Sequence, residues 1–139
     1  LVVRCYRRSF DLTERFADAC AKFGRNGLDR APLGLYLNVQ AHASGLSPLV
    51  LMSGANALPA AARREITRRA RQLQKRFKRF GEKGLADGSF RDIDFDAVAQ
   101  LGAGAFEWLP KWFSTDDPRA PEALAHEITE LFIRGLRAR

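Results

Sequence analysis

The chain has 139 residues, 46% of them hydrophobic, and its 23 basic and 16 acidic side chains leave a formal net charge of +7. This length fits one domain with its own core, and the composition excludes wholesale disorder. No apolar run reaches the ~18 residues that span a bilayer. The positive charge favours an anionic partner such as nucleic acid, a phosphorylated metabolite or anionic lipid.

The first predicted helix runs from about Leu1 to Phe23, and the glycines at 24 and 27 mark its end. It contains both cysteines, Cys5 and Cys20. Fifteen residues of helix separate the two thiols by roughly 22 Å, which is beyond disulfide reach. We therefore predict free thiols, as in a reducing cytoplasm. No capping residue precedes the helix, so we expect that an upstream part is missing from this fragment.

The second predicted helix begins near Leu28 or Asp29, with Pro32 tolerated in its first turn. Its sequence is almost entirely apolar, which predicts a central position. Three polar residues interrupt it, namely Asn38, Gln40 and His42. Buried polar groups need partners, so these residues are candidate anchors in an apolar ligand pocket. The alternative for His42 is a structural histidine that is hydrogen-bonded within the protein.

The middle of the chain predicts a short helix followed by a long one. Glycines and prolines interrupt residues 44–59, which favours a short helix near Pro48–Ser53. The long helix, Pro59–Ala86, has an apolar stripe at spacings of three and four. Between Arg63 and Arg79 it holds nine basic residues and one acid. This face is either simply solvated or binds an anion. The pattern does not favour sequence-specific DNA reading by this helix, because its apolar stripe must pack inward and no helix-turn-helix pattern surrounds it.

The next predicted helix is capped by Asp94 and kinked by Pro110 near its end. It is apolar on two sides. Its polar residues fall on one narrow stripe, namely Asp96, Gln100, Glu107 and Lys111. In a chain of this size, such a helix is buried between its own core and a second surface, which predicts an obligate oligomer. After a connector over 114–120, Pro121 opens the last helix.

The sequence therefore predicts an all-α fold, a helical bundle of about five main helices plus one short helix. Catalytic and metal motifs are incomplete. His126 lacks the second histidine of a zinc-protease helix, and the aspartates at 92, 94 and 96 lack the glycine and glutamate of a calcium loop. Gly102–Gly104 follows no strand, so it indicates close helix packing and not a dinucleotide loop. We predict no enzymatic activity, no cofactor and no metal.

The C-terminal sequence resembles the last two helices of TetR-family (tetracycline-repressor-like) transcriptional regulators. The resemblance rests on GAFEWLPKWF, with Trp108 and Trp112, on Pro121-Glu122, and on LFIRGL at 131–136. The N-terminal VVRCYRRSFDLTERF is similar to the helix that connects the family's DNA-binding unit to the rest of the protein. Helix order and length agree over the whole chain. The helix-turn-helix is absent, and Ala120 stands where a better N-cap is expected.

The resemblance implies a homodimer in which the last two helices of each subunit form a four-helix bundle. It also implies an apolar effector pocket among the first, second, long and penultimate helices. We predict a pocket lined by Phe16, Tyr36, Val39, Gln40, His42, Phe77, Phe80, Leu101 and Trp108. We predict a dimer interface formed by Gly102, Phe106, Leu109, Phe113, Ile128, Leu131, Phe132 and Leu136.

The leading prediction makes residues 1–139 the ligand-binding and dimerisation domain of a cytoplasmic TetR-like repressor. It would reach operator DNA only through the absent N-terminal part, and it would not bind membranes. Its effector would be a hydrophobic or amphipathic small molecule, such as an acyl-CoA, that relieves DNA binding. Two alternatives remain open. One is a stand-alone helical lipid or acyl carrier, and the other is a basic helical module that binds nucleic acid or anionic membrane.

Overall fold

A computed structural model describes residues 1–45, 52–114, 116 and 119–139 of the chain. These residues form five α-helices and one short 3-10 helix. The helices are α1 (Val2–Phe23), α2 (Gly27–Ala43), the 3-10 helix (Met52–Ala57), α3 (Ala60–Ala86), α4 (Phe95–Trp112) and α5 (Pro121–Leu136). The predicted all-α class, with five main helices and a short one, is confirmed. No helix in the described ranges is long and apolar enough to cross a bilayer.

The predicted helix ends agree closely with the structure. Asp94 caps α4 by accepting a hydrogen bond from the backbone N–H of Ala97 at 3.1 Å. Asn26 caps α2 in the same way, so this helix begins slightly earlier than predicted. The predicted short helix lies partly outside the described residues, and the 3-10 helix begins at Met52. α4 continues through position 110 to Trp112.

Helix α2 lies at the centre of the bundle, as its apolar sequence predicts, and packs against α1, α3 and α5. One core cluster joins it to α4 and α5. This cluster contains Val39, Ala43, Leu109, Phe113, Leu124 and Ala125. A second cluster lies between α1, the 3-10 helix and α3. It contains Tyr6, Ala55, Leu58, Ala62 and Ile66.

Glycine brings α2 and α3 into close contact. A Cβ on Gly27 would overlap the backbone of Gly84, so only glycine allows this approach. The predicted turn after α3 completes the contact. There the Asp87 carboxylate accepts from the N–H of Gly27 at 3.0 Å, and the hydroxyl of Ser89 accepts from the N–H of Leu28 at 3.2 Å. Two of the unpaired N–H groups at the start of α2 are thereby satisfied.

Helices α1 and α3 run parallel and are joined by ion pairs along their length. Arg7 pairs with Glu65 at 2.7 Å near the starts of the helices, and Arg76 pairs with Asp18 at 2.6 Å further along. Between them, Arg69 contacts both Asp11 and Glu14, at 2.6 and 2.8 Å. We call this set of contacts the α1–α3 seam. The acids of α1 on this side are therefore matched by cations within the chain.

Candidate functional site

A polar interior lies between α1 and α2. Residues three and four apart share a helix face, which places Ser9 and Thr13 of α1 opposite Asn38 of α2. The Thr13 hydroxyl donates to the carbonyl of Ser9 at 3.0 Å and lies 3.3 Å from the side-chain oxygen of Asn38. The amide nitrogen of Asn38 donates to the carbonyl of Gly34 at 2.8 Å. The Thr13 hydroxyl therefore links α1 to the side chain of Asn38 inside the bundle, and Ser9 contributes its backbone carbonyl.

His42 lies one turn further along α2 on the same face as Asn38. Its Nδ1 atom is buried and has no hydrogen-bond partner among the described residues. Its ring lies 6.3 Å from that of Phe106, at an interplanar angle of 52°. Burial lowers the pKa of His42, so the imidazole is neutral near pH 7. It therefore offers one unused nitrogen that a bound molecule could engage.

Glu107 of α4 and Tyr6 of α1 extend this polar interior. Tyr6 is only 3% exposed, and its pKa is raised first by burial and then by the negative charge of Glu107. The polar stripe predicted on α4 thus does not lie wholly in solvent, since Glu107 is half-buried and its charge acts on Tyr6. The structure places the Thr13 hydroxyl next to the Asn38 amide, and His42, one turn further along α2, lies beside the ring of Phe106.

Large apolar side chains are exposed on the outer side of α4 and α5. The exposed fractions are 70% for Leu101, 61% for Trp108, 45% for Trp112 and 72% for Leu131. Gly104 and Gly135 belong to the same region, where an added Cβ would meet nothing within 4 Å. We call these six residues the α4–α5 face. Large apolar side chains that are exposed on neighbouring helices are typical of an interaction surface.

Two cations accompany the exposed tryptophans. The ammonium of Lys111 lies 5.9 Å from the ring centre of Trp108, and the guanidinium of Arg119 lies 5.4 Å from that of Trp112. These distances allow cation–π attraction, which is weak at exposed sites. The cations cover only part of each ring, so most of the apolar area on the α4–α5 face remains in contact with water.

The predicted pocket residues lie in different parts of the helical bundle. Leu101 and Trp108 are exposed, so their assignment to a pocket within the subunit is wrong. The reason is the rotation of α4, which is fixed by Leu109 and Phe113 in the core. Among the other predicted residues, only His42 belongs to the polar interior.

The remaining predicted pocket residues are distributed over four places. Val39 and Tyr36 pack in the core shared by α2, α4 and α5. Phe77 and Phe80 pack edge to face at 5.9 Å, and Phe77 lies against Gly34. Gln40 lies 3.5 Å from Glu122 at the start of α5, and Phe16 is half-buried on α1.

The residues predicted to form the dimer interface fall into a buried group, a half-buried group and one exposed residue. Leu109, Phe113 and Leu136 are 3%, 8% and 4% exposed within one subunit, so the structure contradicts their assignment to a surface. The half-buried members are Gly102, Phe106, Ile128 and Phe132. Of the predicted set, Leu131 alone is largely exposed. The exposed side of α4 is instead the side of Leu101, Gly104 and Trp108.

Sequence reasoning missed four residues of the polar interior, namely Tyr6, Ser9, Thr13 and Glu107. A signal was present, because the three residues on α1 recur at spacings of three and four, as do Asn38 and His42 on α2. Among the described residues, no group of three or more potential ligands could hold a metal ion. The His42 Nδ1 atom, which has no partner among the described residues, gives the polar interior a group that could hydrogen-bond an organic molecule.

Comparisons with known proteins agree with this architecture. The family described as the tetracyclin repressor-like C-terminal domain matches residues 33–136. A ketosteroid transcriptional regulator, KstR2 of Mycobacterium tuberculosis, superposes with a TM-score of 0.85 at 17% identity, over 96% of this chain and 69% of its own. A tetR-family regulatory protein from Rhodococcus RHA1 superposes with a TM-score of 0.70 at 20% identity, over 97% of this chain and 73% of its own.

No curated protein matches the sequence significantly. At such low identities the two structures establish the fold alone. The family match, by contrast, covers three quarters of the chain, from within α2 to the end of α5. The chain therefore belongs to the tetracyclin repressor-like C-terminal domains, the ligand-binding and dimerisation class of TetR-family transcriptional regulators.

Proposed function

We propose that this chain is the effector-binding and dimerisation domain of a TetR-like repressor, and that its effector relieves DNA binding by a helix-turn-helix outside residues 1–139. The observation that carries this proposal is the α4–α5 face. Four large apolar side chains there are 45–72% exposed in the single subunit. They lie on the two helices through which the TetR resemblance implies dimerisation.

The dimer interface in this proposal is centred on Leu101, Trp108 and Leu131. Burying such side chains gains roughly 1.5–3 kcal/mol each. Gly104 and Gly135 have open space beside them, which would let the backbones of two subunits approach closely. Two copies of this face, related by a two-fold axis, would form the four-helix bundle.

The effector site in this proposal is the polar interior between α1, α2 and α4. His42 and Asn38 would hydrogen-bond a polar group of the effector, and Phe106 would contact its apolar part. Ligand pockets commonly combine an apolar lining with a few convergent polar groups of this kind. An amphipathic molecule with a carbonyl or hydroxyl group, such as an acyl thioester or a polycyclic ketone, fits this chemistry.

The same interior gives a route from effector to DNA. Thr13 belongs to α1, which is similar to the family's connecting helix, and it contacts Asn38 of the proposed site. An effector that replaces the Thr13–Asn38 contact would change the packing of α1 on α2. It would relieve repression only if it bound the displaced arrangement more tightly than the original one.

A thermal-shift screen tests the effector proposal. Acyl-CoAs, free fatty acids, coenzyme A alone and polycyclic ketones should be compared. A ligand that binds the folded chain raises the melting temperature in a concentration-dependent way. We expect the shift from at least one amphipathic class to disappear in His42→Leu and Asn38→Ala and to persist in Gln100→Ala, an exposed position on α4. If no class shifts the wild-type chain, the effector proposal is wrong.

The proposal also keeps two predictions from the sequence. We expect the protein to reside in the cytoplasm and to lack catalytic activity. A hydrolase assay on each stabilising ligand, with product analysis by mass spectrometry, checks the second. Turnover that is lost in His42→Leu would identify an enzyme and contradict the proposed role.

A further inference from the structure

The outward surface of α3 carries a row of exposed cations. Five basic residues lie there at successive spacings of one, four, three and four residues, namely Arg63, Arg64, Arg68, Arg71 and Lys75. Together with Thr67 and Gln72 they line one shallow surface groove. We call these five residues the basic row. We propose that the basic row binds the phosphate backbone of double-stranded DNA without regard to its sequence.

The basic row differs from three other cations of α3, which are already paired. Arg69 and Arg76 pair with acids of α1, and Lys78 pairs with Asp96 of α4 at 3.1 Å. Within the described part of the chain, no member of the basic row forms an ion pair. The acid beside it, Glu65, is held by two hydrogen bonds from Arg7.

Like charges one turn apart on a helix repel each other. Carboxylates of α1 and α4 pair with three other cations of α3, whereas the described residues supply no ion pair to the basic row. The charge of Glu65, which Arg7 binds, also acts on Arg68. An anionic partner would remove this repulsion as well as adding attraction. The geometry therefore favours a charged partner over a purely solvated surface.

The shape of the row indicates what kind of anion fits. From Arg63 to Lys75 the row extends about 18 Å along the helix axis. Five cations spread over this length do not converge on one phosphate, but they suit a polymer with regularly repeated charges. Duplex DNA carries one negative charge per ~1.7 Å of its axis, so several phosphates lie within reach of such a row.

Two further features distinguish duplex DNA from other polyanions. No aromatic residue belongs to the row, since Phe77 and Phe80 point toward the interior, so unpaired bases would find no ring on which to stack. No long apolar side chain lies among the cations, so the row has nothing to insert into a bilayer. Backbone contacts to a duplex need neither feature.

Fluorescence anisotropy with a short labelled DNA duplex of mixed sequence tests the proposal on the chain of residues 1–139. At about 50 mM salt we expect measurable binding, with log K falling against log salt at a slope that reflects roughly three to five phosphate contacts. The triple variant Arg64→Gln, Arg68→Gln, Arg71→Gln should weaken binding at least about tenfold and reduce the slope by roughly 2 to 3. Its circular dichroism should be unchanged, because all three side chains are exposed.

The matched control is the triple variant Arg134→Gln, Arg137→Gln, Arg139→Gln, which removes the same charge from exposed positions at the other end of the chain. We expect it to retain most of the affinity. If both triples weaken binding equally, net charge alone is responsible and the proposal fails. Binding to phosphatidylserine vesicles without binding to DNA would also overturn it, as would equal competition by free inorganic phosphate at millimolar concentration.

Discussion

Helices α1 and α3 meet through side chains of opposite charge, whereas α4 and α5 present apolar side chains to the outside. At the α1–α3 seam, each acid of α1 finds a cation of α3 at 2.6–2.8 Å. At the α4–α5 face, Leu101 and Leu131 remain 70% and 72% exposed. The first surface completes its interactions within one chain, and the second does not.

The two surfaces differ in what they stabilise, namely the packing of helices within one chain or the association of two chains. Ion pairs at a partly exposed seam contribute little individually, but their register fixes how α1 lies on α3. Leucine and tryptophan side chains that are exposed in a lone subunit add little to its folding free energy. Their burial in an interface contributes favourable free energy to association. We therefore infer that α1 is positioned by its own chain, while α4 and α5 are completed by a second copy.

The largest expected effect is on the α4–α5 face. Leu131→Glu should weaken self-association by at least about 2 kcal/mol, or roughly 30-fold in Kd, because it places a charge in the proposed interface. Gly104→Arg should act in the same direction by filling the open space beside the helix. Sedimentation equilibrium measures both. The control is Phe23→Glu, which charges a 68% exposed side chain at the end of α1 and should leave association unchanged.

The next effect concerns the α1–α3 seam. The Arg69 side chain is only 13% exposed and contacts two carboxylates, so Arg69→Met should cost about 1–3 kcal/mol of unfolding free energy. Urea denaturation measures this loss of unfolding free energy. It is carried out in a variant whose subunits are already dissociated, so that dimer formation does not contribute. Arg64→Met, at an unpaired and exposed position of the same helix, should change stability by less than about 0.5 kcal/mol. Equal effects of the two substitutions would remove the distinction between paired and unpaired cations.

A smaller effect is a pH dependence that arises from His42. Burial lowers the pKa of His42 below 6.5 in the folded chain, so the unfolded chain takes up this proton first as the pH falls. The stability contributed by neutral His42 is complete above about pH 6.5 and is lost toward the folded-state pKa, by at most ~1.4 kcal/mol per pH unit.

Urea denaturation at several pH values between 7.5 and 5.5 checks this prediction. In His42→Gln the loss of stability over that window should be visibly smaller than in the wild type. His126→Gln, at an exposed position of α5, should keep the wild-type slope. A slope that survives the removal of His42 would mean that another group controls stability in this window.

The smallest predicted effect is at Cys20. Burial raises the pKa of its thiol to about 11, so it is protonated and should behave as a core residue. At neutral pH we expect a thiol reagent to modify Cys5 well before Cys20, as followed by mass spectrometry of the folded chain. Equal rates would indicate that the packing of α1 on Gly34 of α2 is looser than described.

Much of the fold could be predicted from sequence because its signals are local. The glycines after α1, the Asp94 cap and Pro121 each act on the backbone next to them. In the structure the glycines follow the last residue of α1, Asp94 precedes the first residue of α4, and Pro121 begins α5. The register of the α1–α3 seam could not be predicted. It depends on how two helices far apart in sequence slide along each other, as in the pairing of Arg7 with Glu65.

The site was predicted less well for a related reason. Both sides of α4 are apolar, so periodicity indicates two buried sides without saying which one faces inward. Adjacent residues on a helix differ by 100° in direction, and the packing of Leu109 against α2 and α5 turns Trp108 outward. That choice is made by tertiary contacts, so Leu101 and Trp108 were assigned to the wrong side.

The central claim is that the α4–α5 face is completed by a second copy of this chain. The native mass of the wild-type chain in solution tests it most directly, measured by light scattering after gel filtration at micromolar concentration. We predict a particle of twice the 15.5 kDa of one chain, which Leu131→Glu reduces to the single-chain mass. A wild-type chain that stays at 15.5 kDa up to high micromolar concentration would contradict the claim.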